Sequence, residues 1–276
     1  LVDNTSVLGL ELVECGEDHL MDVDDAAAAL TGNTKAIVPT QLNGRTCDMD
    51  ALMALADEHG LVVVEDAAQA LGSRFRGQCA GTFGLAGMIS LYPAKLLGCL
   101  GDGGLVLTND DAMAEQLRLM RDHGRNAEGE VVAWGVNSRL DTVQAAVLLA
   151  KFKHYEAEIK RRREIAARYD ERLSDLDDLL LPPGPEEGDH FDVYQNYELE
   201  AARRDGLREH LSAQGVGTMI QWGGKPVHRL NGLGFDHVVL PRTEAVFERC
   251  LMLPMNTSLT DDEVDYVCDM IQDFYE

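Results

Sequence analysis

The run Leu61-Val62-Val63-Val64-Glu65-Asp66 constrains this chain more than any other segment. Three consecutive valines form a stiff extended stretch that reads as a central strand covered on both faces. Upstream, Lys35 to Thr40 reads as a second strand. Asp48 to His59 reads as a helix, stopped by Gly60 just past its end. Strand, helix and strand at this spacing make a βαβ unit, so a parallel sheet is expected. Ligands of open α/β sheets sit beyond the carboxyl ends of the strands. Asp66 stands at such an end, where an ionised carboxylate needs a cationic partner or several hydrogen bonds.

A second charged group has the same character. Lys95 lies in Ser90-Leu91-Tyr92-Pro93-Ala94-Lys95-Leu96-Leu97-Gly98, ahead of Gly101-Asp102-Gly103-Gly104. The segments on either side, Gly87 to Leu91 and Gly104 to Thr108, are apolar and of strand length, so both are expected to be buried strands. A lone lysine is usually a solvated surface group. One held between two buried strands, 29 positions after Asp66, is placed for chemistry. A lysine amine and a strand-end carboxylate are the two groups a pyridoxal phosphate enzyme needs most. The amine forms the Schiff base, and the carboxylate keeps the pyridine nitrogen protonated so that the ring can accept electrons.

Five motifs in order resemble the DegT/DnrJ/EryC1/StrS family of fold-type I, pyridoxal phosphate-dependent sugar aminotransferases. They are Glu65-Asp66-Ala67-Ala68-Gln69, Ser90 to Lys95, Gly101 to Gly104, Arg121-Asp122-His123-Gly124 and Gly135-Val136-Asn137-Ser138-Arg139-Leu140-Asp141. The similarity runs from about Val7 to the C-terminus. It implies an α/β fold with a mostly parallel sheet in an α/β/α large domain, residues 1–150, and a long helix with a small α/β domain, residues 151–276. It implies Lys95 as Schiff-base lysine and proton shuttle, Asp66 at the pyridine nitrogen, Gln69 at the ring or its 3-hydroxyl, and Ser90 at the cofactor phosphate. Asn137 would reach the phosphate in a neighbouring subunit, which implies a homodimer with shared sites, and the loop 125–137 would cross the interface.

The reaction implied moves an amino group from an amino acid, glutamate, to a nucleotide-linked keto-sugar. Dehydratases of the same family carry histidine in place of the lysine, so Lys95 argues for transfer. The family also has an N-terminal stretch with a Gly-Thr-x-Ala-type phosphate loop and an aromatic residue that stacks on the ring. Neither motif is found here, so a partial sequence is expected, the alternative being a truncated, non-catalytic relative. Gln41 and Asn43 stand where many members have His and Tyr, which suggests a different sugar pocket.

Further along, Asp110 is expected to cap a helix reaching Asp122, and Asp141 with Gln144 has the spacing of a capping box. A single helix is expected from there to Leu173, with Arg161-Arg162-Arg163 as a solvated face. Residues 67–85 read as an irregular loop, and Leu181 to Gly188 as a linker or surface loop. Strands near Val193–Leu199 and Val216–Gln221 and helices near Arg203–Gln214 and Asp261–Phe274 complete the chain. The turn Gln221 to His228 offers Trp222, Lys225 and His228 as substrate contacts, the alternative for the turn being a surface loop with a structural Trp. His123 and His228 are acid–base candidates on residue type alone.

Charge bears on partners. The 276 residues hold 48 acidic and 24 basic groups, a net charge of −24, and only 6 of the basic groups are lysines. Such a balance disfavours nucleic acid and anionic membranes. It fits a halophilic protein, because concentrated salt mutes the self-repulsion. Cys15, Cys47, Cys79, Cys99, Cys250 and Cys268 form neither a zinc pattern nor a disulfide framework, so a cytoplasmic protein with reduced thiols and no metal is expected. The glycines at 98, 101, 103 and 104 lack the spacing of a nicotinamide-binding fingerprint.

Overall fold

The computed structural model describes residues 9–185 and 188–276. Glu186 and Glu187, in the expected linker, lie outside the described residues. The βαβ unit is present. Strand β1 (Ala36–Ile37) follows a short helix α1 (Val23–Ala28) and precedes helix α2 (Met49–His59) and strand β2 (Val62–Asp66). β1 and β2 pair in parallel, Ala36 opposite Val62. Asp48 caps α2 by accepting from Ala51 N at 3.1 Å, and Gly60 ends it with φ of 63°.

The stretch expected to be irregular contains a hairpin of β3 (Arg74–Phe75) and β4 (Gln78–Cys79). Its two turn residues, Arg76 and Gly77, have φ of 48° and 83°, the left-handed pair that a two-residue hairpin turn requires. Arginine at the first position hides that signal in the sequence. β5 (Ala86–Ser90) then joins β2 in parallel, and β6 (Gly104–Leu107) closes the order β1-β2-β5-β6 in the antiparallel sense. The expectation that both strands around Lys95 are buried holds only partly. β6 is the sheet edge, and Leu105 and Val106 are exposed there.

Asp110 caps helix α3 (Asp111–Arg121) as expected. The single helix expected to reach Leu173 is two, α4 (Thr142–Phe152) and α5 (Tyr155–Leu173). The break lies between two anchors to the first half of the chain. Lys151 Nζ donates to Gly98 O, and Tyr155 Oη donates to Leu71 O. The capping box does not form, because the Gln144 carbonyl oxygen accepts from Leu100 N at 2.8 Å and Asp141 makes no cap bond.

The arginine triplet on α5 is not a solvated face. Arg161 donates to Leu259 O, Arg162 to the carbonyls of Tyr194, Gln195 and Met255, and Arg163 to those of Asp192 and Pro185. Each guanidinium serves carbonyls of irregular chain that no strand or helix satisfies.

The remaining elements are β7 (Leu179–Leu180), β8 (His190–Phe191), β9 (Tyr197–Ala201), α6 (Arg204–Ala213), α7 (Pro241–Arg249), β10 (Cys250–Leu253) and α8 (Asp261–Tyr275). β10, β9 and β7 form an antiparallel sheet covered by α5, α6 and α8. The strand expected at Val216–Gln221 is reduced to a bridge between Met219 and Met252. β8 pairs with β3, so residues 190–191 attach to the first half of the chain. Among the described residues no helix is long and apolar enough to cross a membrane.

Candidate active site

Parallel pairing sets the site. In the β2–β5 register Asp66 lies opposite Met88, two residues before Ser90, so Asp66 and Ser90 share the carboxyl end of the sheet. Side chains alternate along a strand, so Glu65 and Asp66 point to opposite faces. Glu65 is 0 % exposed and wholly structural. Its carboxylate accepts from Gln41 Nε2 at 2.9 Å, Gly81 N at 2.7 Å, Phe83 N at 2.7 Å and Gly84 N at 3.2 Å. Four donors are what a buried carboxylate needs, and they fasten the loop 81–84 to β2. Asp66 has only one protein donor among the described residues, Ala68 N at 3.1 Å on Oδ1. The rest of its accepting capacity is open.

Lys95 lies in an irregular turn that begins directly after β5. Lys95 N donates to Tyr92 O at 2.9 Å, and Cys99 N to Leu91 O at 2.9 Å. Gly98 is required here, because a Cβ would stand 2.5 Å from Pro93 O. Cys99 is buried, and its thiol donates to the carbonyls of Leu91 and Gly101, so it is part of the wall. The Lys95 side chain is half-buried, and its amine has no hydrogen-bond or ion-pair partner among the described residues. Burial pushes the amine below the ordinary lysine value, and the negative charge of Asp66 pulls it part of the way back. The effect is an amine drawn toward its neutral, nucleophilic form.

Gln69 closes the constellation. Its Oε1 accepts from Asn43 N at 2.8 Å and Asn196 Nδ2 at 3.4 Å, and its Nε2 donates to Gln221 Oε1 at 3.4 Å. With the oxygen engaged, a second amide hydrogen remains to be donated. Asn43, in the left-handed region with φ of 55°, donates to Glu198 and accepts from Asn196 and Gln221. Gln221 Nε2 also reaches Glu198 Oε2 at 3.0 Å.

The structure corrects two expectations near this network. Gln41 cannot shape a sugar pocket, because it is fully buried with both ends spent on Cys47 N and Glu65. His228 is 0 % exposed, and its Nε2 pairs with Glu244 at 3.0 Å, so it holds the 226–229 turn onto α7 and has no path to a substrate. His123, elsewhere in the fold, is exposed in the turn after α3, and its ring has no hydrogen-bond partner among the described residues.

Trp222 and Lys225 are exposed. Trp222, with φ of 46°, directly follows Gln221 and tilts against Phe247 at 6.4 Å between ring centroids. Asn137 is also exposed, on the wall of an open concavity of about 1420 Å³ formed by β5, β6, α3 and the segment 136–141. Its Oδ1 accepts from Arg139 at 3.0 Å.

The sequence reading missed Gln195, Asn196 and Glu198. The signal was present in Asp192-Val193-Tyr194-Gln195-Asn196-Tyr197-Glu198, where polar residues recur inside an otherwise apolar run. Buried polar side chains in such a run have partners elsewhere.

A carboxylate with open acceptor capacity, an amine of lowered basicity with no hydrogen-bond partner among the described residues, a strand-end hydroxyl and a fixed amide donor fit pyridoxal phosphate. Each is of a chemical kind that could hold one part of that cofactor. Residues 12–272 match the DegT/DnrJ/EryC1/StrS aminotransferase family. The chain belongs to that family, whose members are pyridoxal phosphate-dependent aminotransferases. It is 39 % identical over 268 residues to the dTDP-3-amino-3,4,6-trideoxy-alpha-D-glucose transaminase of Streptomyces venezuelae, covering 96 % of this chain and 70 % of that one. It is 40 % identical over 259 residues to the pleiotropic regulatory protein of Geobacillus stearothermophilus, covering 92 % and 69 %. The crystal structure of S. venezuelae DesV in complex with a ketimine intermediate superposes with a TM-score of 0.90 at 38 % identity, covering 96 % of this chain and 71 % of that one.

Proposed function

We propose that this aminotransferase moves an amino group from glutamate to the ketone of a nucleotide-linked sugar. The observation that carries the reading is the Lys95 amine, half-buried, without a hydrogen-bond or ion-pair partner among the described residues, and drawn toward neutrality beside Asp66 at the carboxyl end of the sheet. Bound pyridoxal phosphate supplies an electron sink that lets the amino group leave one carbon and join another. The chain supplies the rest. Asp66 holds a proton on the ring nitrogen by its negative charge. Gln69 donates its free amide hydrogen to the ring oxygen, and Ser90 binds the phosphate. Lys95 carries the proton to and from the substrate carbon, which an amine can do only when neutral. Trp222 and Lys225, exposed in the turn that begins at Gln221, would stack on a base or sugar and meet a diphosphate.

The assembly is a homodimer. Met120, Val131, Val132, Trp134 and Val136 expose apolar surface on one segment, and Trp134 is 99 % exposed. A second copy covering this surface would bring Asn137 to the partner's cofactor phosphate. The large acidic excess suits a cytoplasm rich in salt.

The test is titration of the protein with pyridoxal phosphate beside Lys95→Ala, followed by glutamate and a panel of nucleotide-linked keto-sugars, with the amino-sugar read by mass. A visible absorption band lost in Lys95→Ala, and an amino-sugar formed only by the wild type, are expected. An unchanged band in the variant would sink the assignment of Lys95.

A further inference from the structure

Lys95 is gripped from outside its own turn. Gln195, 8 % exposed, accepts from Leu96 N through Oε1 at 2.9 Å and donates to Ala94 O through Nε2 at 2.9 Å. One side-chain amide thus pairs the backbone on both sides of the lysine, as a neighbouring strand would. Among the described residues neither Ala94 O nor Leu96 N has another partner.

Gln195 is itself fixed. Arg162 donates to the carbonyls of Tyr194, Gln195 and Met255 at 3.0, 3.1 and 3.1 Å. On the other side Gly44, with φ of 95°, packs so closely that a Cβ there would stand 2.7 Å from Gln195 N. Asn196, the next residue, turns the opposite way and donates to Asn43 Oδ1 at 2.8 Å and Gln69 Oε1 at 3.4 Å. Two consecutive residues therefore touch the turn that carries Lys95 and the Gln69 side chain, the groups assigned to two adjacent positions of the cofactor ring, its aldehyde carbon and its ring oxygen.

We propose that Gln195 is a positioning residue for Lys95, setting the turn that aims the amine and, with Asn196, its placement relative to Gln69. The proposal rests on the assignment of Lys95 made under Proposed function. A bent or shifted 94–96 backbone moves the lysine stem, and displacements of about an ångström at a reacting group cost on the order of 100-fold in rate.

The experiment compares wild type, Gln195→Ala, Gln195→Glu and Gln195→Met, each loaded with pyridoxal phosphate. It reads the pH midpoint of the Lys95-dependent visible band, the single-turnover rate with glutamate, the glutamate KM and Tm. Gln195→Ala is expected to shift the midpoint by about half a unit or more. The rate should fall by about 10- to 100-fold with KM changed less than about two-fold. Gln195→Glu keeps the acceptor for Leu96 N and loses the donor to Ala94 O, so it is expected to fall between. Should Gln195→Ala not fold, Gln195→Met fills the same length without either hydrogen bond and carries the same expectation. A wild-type midpoint and rate in the variants overturns the proposal. So does a lowered Tm with the midpoint unmoved, which marks a purely structural role. A wild-type protein with no Lys95-dependent band overturns the assignment of Lys95, and this proposal with it.

Discussion

Two neighbouring carboxylates carry opposite duties on β2. Glu65 is saturated by four donors and Asp66 is left open, because strand alternation sends one into the core and the other to the opposite face of the sheet. Asp66 and burial act on the Lys95 amine in opposite directions. Removing the Asp66 charge therefore lowers the basicity of Lys95 further. In cofactor-free protein, Asp66→Asn is expected to raise the labelling rate of Lys95 by an amine-specific reagent about two- to five-fold near neutral pH, because more of the amine is neutral. Peptide mass mapping of the labelled residue reads the change. An equal or slower rate would show that Asp66 does not act on Lys95 through space.

At the level of elements, the segment before α1 is tied to the C-terminal half by long-range polar contacts. Glu14 accepts from Thr243 N and Arg242 N, and Arg242 also pairs with Asp22. His19, with φ of 63°, places its ring between Glu198 and Glu200, 3.2 Å from each. These two lie on one face of β9, being two apart in a strand. Burial opposes a charged ring, but the hydrogen bonds and charges of both glutamates outweigh it and raise His19 to about 9.

A histidine whose folded value is raised stabilises the fold fully below its unfolded value, and that stability is lost as pH rises through the folded value. His19→Gln is therefore expected to cost about 2–3 kcal/mol near pH 6 and almost nothing by about pH 10. Urea unfolding of both proteins across that range reads the difference. A gap that does not close at high pH would mean the ring serves by packing rather than by charge.

For the whole molecule, the excess of 24 negative charges sets the response to salt. Surface ion pairs such as Arg168–Asp265 and Arg172–Asp269 weaken as salt screens them. Exposed pairs of this kind contribute little to stability, while the excess acidic groups repel over the entire surface. Relief of repulsion should win. Raising KCl from about 0.1 M to about 1 M, which shortens the Debye length from about 10 Å to about 3 Å, is expected to raise Tm by several degrees. A Tm that is flat or falls would count against the halophilic reading.

The sequence by itself determined the βαβ unit, the helix starting at Asp48, the stop at Gly60, the cap at Asp110, and the positions of Asp66, Gln69, Ser90 and Lys95 at strand ends or in the turns beyond them. These depend on period, capping chemistry and glycine, which act over a few residues. Tertiary structure alone decided the rest. It broke the long helix between Lys151 and Tyr155, turned the arginine triplet inward onto orphaned carbonyls, and spent Gln144, Gln41 and His228 on scaffolding. It also brought Gln195 to both sides of Lys95, a hundred residues away in the chain. A polar side chain's sequence neighbours do not reveal which distant backbone group lacks a partner. That need arises only when the chain is packed and water is excluded.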